Sequence, residues 1–159
     1  MYKTLDRQYF DDLDIHILKA LSENARTPYL EIAREVGVSG AAVHQRVQRL
    51  MMNKVIKGSR CLLDSSSLGY NVVAYLGINV MPGIDVEKLV EDLQAIDEIA
   101  ECHIVTGRYD IIVKLFARDN SSILEIIRER ILPLNVANTE TMVSFREAFS
   151  RSVPIAKRQ

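Results

Sequence analysis

The 159-residue chain has no tryptophan and only four phenylalanines, so its interior has to be packed mainly with aliphatic side chains. Cysteine is nearly absent. Cys61 and Cys102 stand alone, too few for a disulfide framework and without the spacing of a zinc site. The one long charge-free run, Ser65 to Ile84, holds three serines, two asparagines, three glycines and a proline, which argues against a spanning helix. The opening residues, MYKTLDRQYFDD, lack the apolar run of a signal peptide. These absences favour the cytoplasm.

Catalytic patterns are missing too. There is no Gly-rich phosphate loop, no HExxH and no nucleophile elbow. Cys102 and His103 are neighbours on an expected strand, so they point to opposite faces and cannot act as a nucleophile–base pair. His16 and His44 fall in the other half of the chain, and His103 reads as an ordinary strand residue. The expectation is a non-enzyme with no catalytic residue, metal or cofactor.

One further absence is local. No acidic residue occurs from 36 to 63, a stretch that carries Arg46, Arg49, Lys54, Lys57 and Arg60. The chain totals 20 Lys+Arg against 21 Asp+Glu, so without those five it would have 15 basic and 21 acidic residues. A near-neutral, 48% hydrophobic chain with one positive segment implies a soluble globular protein with a localised anion site.

The first half has helical periodicity. Phe10, Leu13, Ile17, Leu18 and Leu21 recur three or four apart. Asp11 suits the N-cap of a helix from Asp12 to Glu23 or Asn24, with Asp14 at N3 and a Phe10–Ile15 staple. Thr27 and Pro28 read as cap and first residue of a second helix, with an apolar stripe of Leu30, Ala33 and Val36. Gly37 ends it, and Ser39 caps a third helix to about Asn53. Ala33, Gly37, Val38 and Val43 fit the spacing of a helix-turn-helix. VIKGSRCLL then predicts a short hairpin wing, and Asp64-Ser65-Ser66-Ser67 a connection.

The second half alternates strands and helices. Strands are expected at 72–81, 99–106, 110–116 and 139–149, with helices marked by Val86, Leu89, Val90, Leu93 and Ile96 and by Ile123, Ile126, Ile127 and Ile131. The order βαββαβ is the ferredoxin-like one. The fold class is therefore α+β: a winged helix-turn-helix at 1–63, including an N-terminal arm, a linker at 64–70 and a ferredoxin-like sandwich at 71–159. Both sheet faces carry apolar residues (Val73 and Tyr75 on one, Ala74, Leu76 and Ile78 on the other), so the face without helices needs a cover. A second copy related by a two-fold axis is the simplest.

Two sets of residues carry candidate chemistry. On the third helix, Val43, Val47 and Leu50 face inward, while Ala41, Gln45, Gln48 and Arg49 face outward with His44 and Arg46 flanking. Gln and Arg read adenine and guanine edges. Gly40, Ala41 and Ala42 keep the first turn small, and Ser39 with the helix N-terminus suits a phosphate. Lys54, Lys57 and Arg60 read as further phosphate contacts to double-stranded DNA. The bland alternative, a solvated polar face, fits less well with the spacing and the absence of acids. The second set is the turn Thr106-Gly107-Arg108-Tyr109-Asp110. It is either a plain hairpin turn, with Asp110 tying down backbone, or a small-ligand site in which Asp110 receives an ammonium, Tyr109 walls a pocket, and Thr139 and Thr141 of a neighbouring chain add hydroxyls.

LDIHILKALSENART, EIAREVGVS with RV-x-RL after it, VIKG, LLD and LG in the first half resemble the leucine-responsive/AsnC (feast/famine) transcription regulators. So do ECHIVTGRYDIIVK, LPL and the T-x-T of the last strand. The resemblance covers about Asp11 to Arg151 and is nearer the AsnC branch. It implies dimers through the sheets, octamers built from dimers, and a small amino acid effector between dimers at Gly107 to Asp110 and a neighbour's last strand. The chain departs from the pattern in two places: the turn, which carries Arg108 and Asp110, and the helix-turn-helix, which has Arg46 where an apolar residue is usual. The expected function is a sequence-specific, amino-acid-responsive transcription regulator. The rivals are an architectural DNA-organising protein without a ligand and an amino-acid-binding enzyme-regulatory subunit.

Overall fold

Asp11 opens the first helix through a reciprocal capping box. The Asp14 N–H donates to its carboxylate at 2.9 Å and the Asp11 N–H donates to the Asp14 carboxylate at 3.3 Å. In this computed structural model, which describes residues 10–155, the elements run α1 (Asp12–Glu23), α2 (Tyr29–Val36), α3 (Gly40–Met52), β1 (Val72–Val80), α4 (Val86–Gln94), β2 (Ile99–Ile104), β3 (Ile111–Ala117), α5 (Asn120–Ile126) and β4 (Val136–Ser144). The N-terminal arm lies outside the described residues. The chain divides into two units, residues 10–61 with 150–155 and residues 62–149. The last segment thus belongs with the first unit, whereas the sequence pattern assigns everything after 70 to the second.

In the first unit α1, α2 and α3 enclose Ile17, Ile32, Ala33, Val43, Val47 and Leu50. Gly37 ends α2 at φ 70°, a left-handed conformation that glycine adopts without a Cβ penalty. Two local expectations shift. Pro28 is the cap of α2, and the Thr27 hydroxyl donates instead to the Asn24 carbonyl at 2.8 Å. Leu30 is exposed and Ile32 takes its place in the core. A Cβ on Gly40 would lie 2.6 Å from the Leu30 Cδ2, so the bare glycine makes room for it.

The predicted wing does not form a hairpin. Lys54 adopts φ 56°, and the Val55 and Ile56 N–H groups both donate to the Leu50 carbonyl, at 2.9 and 3.2 Å. Their backbone groups close the end of α3, so they cannot start a ladder, while their side chains pack on the helical core. No strand occurs from 53 to 71; Ser66–Leu68 form a single 3-10 turn.

Asp14 is fully buried and charged. Arg49 Nη2 donates to both its oxygens, at 2.6 and 2.9 Å, and Arg46 Nη1 to one at 3.2 Å. Arg46 also pairs with Asp11. A carboxylate removed from water is costly unless paired and hydrogen-bonded, and here both conditions are met from α3 and from the capping box.

The second unit is one antiparallel sheet in the order β2-β3-β1-β4. One face presents Ala74, Leu76, Ile78, Ile111, Val113 and Leu115 to Leu89 and Leu93 of α4 and Ile123, Ile126 and Ile127 from α5 and beyond. Past Ile126 the helix widens into a π turn over Ile127–Ile131, which keeps Ile127 and Ile131 buried. The last strand runs from Val136 to Ser144, earlier than the expected 139–149. It is nine residues long because it pairs with the nine of β1. Among the described residues no strand lies opposite beyond Ser144, and Phe145 is fully exposed.

Replacing both Arg46 and Arg49 with alanine should leave the Asp14 charge buried without a cation and cost about 3–5 kcal/mol by urea denaturation. Adding Asp14→Asn, which keeps the cap, should restore much of that loss; a further loss would show that the pairing does not control stability. The Asp14 N–H, and after it Arg46, holds the Asp11 carboxyl below the usual range. A depressed acid stabilises the fold above its unfolded pKa, and that contribution disappears as the pH falls through the folded value. Asp11→Asn, still a good cap, should therefore flatten the loss of melting temperature on acidification.

Candidate functional site: an exposed helix face and a strand turn

The Ser39 hydroxyl accepts the Ala42 N–H at 3.2 Å and sets the start of α3. No acidic residue occupies the first turn of the helix, so its exposed N–H groups remain suited to an anion. Ala41, His44, Gln45 and Gln48 are exposed, and Gly40 and Ala42 half-buried. Val43, Val47 and Leu50 are buried, as the helical wheel requires. The His44 ring lies against Tyr29, with centroids 5.9 Å apart. Lys54, Lys57 and Arg60 are exposed.

The two arginines differ from expectation. The helical wheel puts Arg49 on the outward face, yet its guanidinium is committed to Asp14 of α1, as is that of Arg46. Both sit on the flank of α3 nearest α1, and their long side chains reach the buried carboxylate. The unusual Arg46 is thus explained: it completes an ion-pair cluster where an apolar residue would have packed. Direct base reading by Arg49 would require that pair to break. Gln45 and Gln48 are left as the long polar side chains on the outward face.

In the second unit the turn between β2 and β3 is held by backbone. The Val105 N–H donates to the Asp110 carbonyl at 2.9 Å and the Asp110 N–H to the Ile78 carbonyl at 3.0 Å. Asp110 accepts the Val80 N–H at 2.8 Å, where the register of β1 slips between Asn79 and Val80. Asn79 Nδ2 donates to the Arg108 carbonyl at 2.8 Å. Thr106 and Gly107 are exposed, with Gly107 at φ 116°. The turn-fixing role of Asp110 is therefore real, and it uses one carboxylate oxygen.

Tyr109 lies flat over Gly77: a Cβ built there would be 2.7 Å from three ring atoms. The interaction of its hydroxyl with the carboxylate of Glu140, the residue across from Gly77, and after it some burial, hold the phenol above its ordinary pKa. Arg108 pairs with Glu140 at 2.6 Å and lies 5.5 Å from the Tyr109 ring centre. Sequence reasoning missed Gly77 and Glu140. A glycine inside a strand does signal a close approach, whereas the role of Glu140 depends on strand register.

Thr139 and Thr141 pair with Ile78 and Leu76 and so share the helix-bearing face. Tyr109 lies on the opposite face. Within one chain the two halves of the expected ligand site are therefore not brought together.

Residues 10–51 match the AsnC-type helix-turn-helix domain and residues 73–154 the Lrp/AsnC ligand binding domain. The Regulatory protein AsnC of Haemophilus influenzae is 33% identical over 144 residues, covering 90% of this chain and 96% of that one. The solved structure of Escherichia coli AsnC superimposes with a TM-score of 0.85 at 31% identity, covering 92% of this chain and 99% of that chain. A transcriptional regulator from Neisseria meningitidis, solved as its L-Met complex, shares the fold at TM-score 0.85 and 20% identity, with 90% and 94% covered. With both of its domains matched in order and nearly its whole length aligned, this chain belongs to the Lrp/AsnC family of transcription regulators, proteins that bind DNA rather than catalyse reactions.

Proposed function

We propose that this regulator reads double-stranded DNA with the outward face of α3 and that a small amino acid modulates it at the turn Thr106 to Asp110. The exposed, acid-free surface running from Ser39 to Arg60 carries the first part of the reading. Ala41, His44, Gln45 and Gln48 are the proposed base-facing residues. Ser39, Gly40 and Ala42 hold a phosphate at the helix start, and Lys54, Lys57 and Arg60 contact others. Arg46 and Arg49 act chiefly by fixing the helix through Asp14.

Among the described residues no helix lies over the sheet face that bears Val73, Tyr75, Phe116 and Met142, and Tyr75 is 38% and Met142 40% exposed. A second copy covers it in this reading, giving a two-fold dimer with two α3 helices and dimers that associate further, as octamers. The effector site then takes Gly107, Arg108, Tyr109 and Asp110 from one subunit and Thr139 and Thr141 from another. The Neisseria meningitidis relative was solved with L-Met, which supports an amino acid as the class of effector. No described helix is long and apolar enough to cross a membrane, which accords with action in the cytoplasm.

On a cognate duplex selected from a random library, Gln45→Ala and Gln48→Ala should each relax base preference at their own positions, by about 1–3 kcal/mol per base pair. Lys57→Ala should weaken all sequences alike and reduce the salt slope by about 1. Unchanged selectivity in both Gln variants would sink the α3 reading. In a thermal-shift screen of the free amino acids, at least one should raise the melting temperature. Asp110→Asn, which keeps the oxygen that accepts the Val80 N–H, should remove that shift with little change in the unliganded melt. A shift that survives would exclude the Asp110 charge from the effector site.

A further inference from the structure

Leu30 is the second residue of α2 and is 63% exposed. A lone leucine on a surface is ordinary, but this one has a particular neighbour. A Cβ built on Gly40, the first residue of α3, would lie 2.6 Å from Leu30 Cδ2 and 3.5 Å from its Cγ. The tip of Leu30 therefore occupies the volume that a side chain at the head of α3 would take. In space, α2 supplies the side chain that position 40 lacks, and Gly40 is half-buried.

The place matters because a helix-turn-helix sets the N-terminal residues of its second helix against base edges. Here that end is nearly bare. Ser39, Gly40, Ala41 and Ala42 carry no side chain longer than a hydroxymethyl group, and Gln45 and Gln48 follow about one and two turns further along. Leu30 brings a branched apolar group to this bare end. Its methyl groups neither donate nor accept a hydrogen bond, so phosphates and polar base edges offer it nothing. The C5 methyl of thymine is the one methyl group that the four bases display in the major groove.

We propose that Leu30 is a specificity-determining residue that contacts a thymine methyl group at the head of α3 and so favours thymine over cytosine there. The proposal rests on the reading of α3 as the base-facing helix and adds to it a contact made from α2.

The test uses the full-length protein and the cognate duplex selected from a random library, with the anisotropy of a fluorescein label as readout. Each thymine is replaced in turn by deoxyuridine, which removes only the C5 methyl. At one position in each half-site the parent should lose about fourfold in affinity, the factor for one buried methyl group. Leu30→Ala should bind the thymine duplex more weakly and should no longer distinguish the two duplexes at that position. Because Leu30 is exposed, its truncation leaves no buried cavity, and the melting temperature should stay that of the parent. A parent that binds every deoxyuridine duplex as tightly as the thymine one would overturn the contact. Discrimination that survives in Leu30→Ala would also overturn it, by placing the methyl against another residue. So would an equal loss on both duplexes in a variant with the parent's discrimination, which would make Leu30 a packing residue between α2 and α3. Relaxed base preference in Gln45→Ala and Gln48→Ala, with no loss on deoxyuridine replacement, would remove the Leu30 contact and keep the α3 reading. A parent that selects no sequence at all would remove that reading itself.

Discussion

A single buried carboxylate organises the helical unit. Asp14 is out of contact with water and receives hydrogen bonds from its own helix cap and from two arginines of α3. The two demands on it are different in kind. The cap fixes where α1 begins, and the ion pairs fix how α3 rotates against α1. Aliphatic contacts between Ile17, Val43, Val47 and Leu50 supply most of the burial energy but little orientation, since such side chains can slide and repack. A charge that cannot be left unpaired tolerates far less rotation. The outward presentation of Gln45 and Gln48 thus follows from an interaction on the flank of the same helix.

In the sheet unit, length and register play the corresponding part. β1 lies between β3 and β4 and sets the extent of both pairings. Its register places Glu140 opposite Gly77 and so under the hydroxyl of Tyr109. The same register sends Thr139 and Thr141 to the face that carries the helices. Were the proposed effector site to use both the turn and these threonines, it would have to be built between subunits, and ligand occupancy and assembly would then be one linked equilibrium.

Much of this is legible in the residues. The period of Leu13, Ile17 and Leu21, the Asp11 and Ser39 caps and Gly37 place three helices nearly to the residue, because caps and left-handed turns are local chemistry. The four strands are legible from alternation and β-branched content. What sequence does not give are choices made by distant partners. The wing fails because Val55 and Ile56 give their N–H groups to Leu50. Arg49 reads as outward by angle, but a long side chain goes where a buried charge needs it. The last strand reads as too long at its end because its limit lies in β1, far earlier in the chain. Glu140 and the return of the C-terminal segment have no local signal at all.

The stacking of Tyr109 on Gly77 also bears on how this site can diversify. A side chain at 77 and a ring at 109 claim the same space, so neither position is free to vary alone. Among relatives the two should drift as a covarying pair, a larger residue at 77 accompanying a smaller one at 109. A single substitution would meet a steric barrier, and new pocket shapes would be reached by paired steps. Arg108, 75% exposed, meets no such steric barrier; what a substitution there gives up is its ion pair with Glu140 and its contact with the Tyr109 ring.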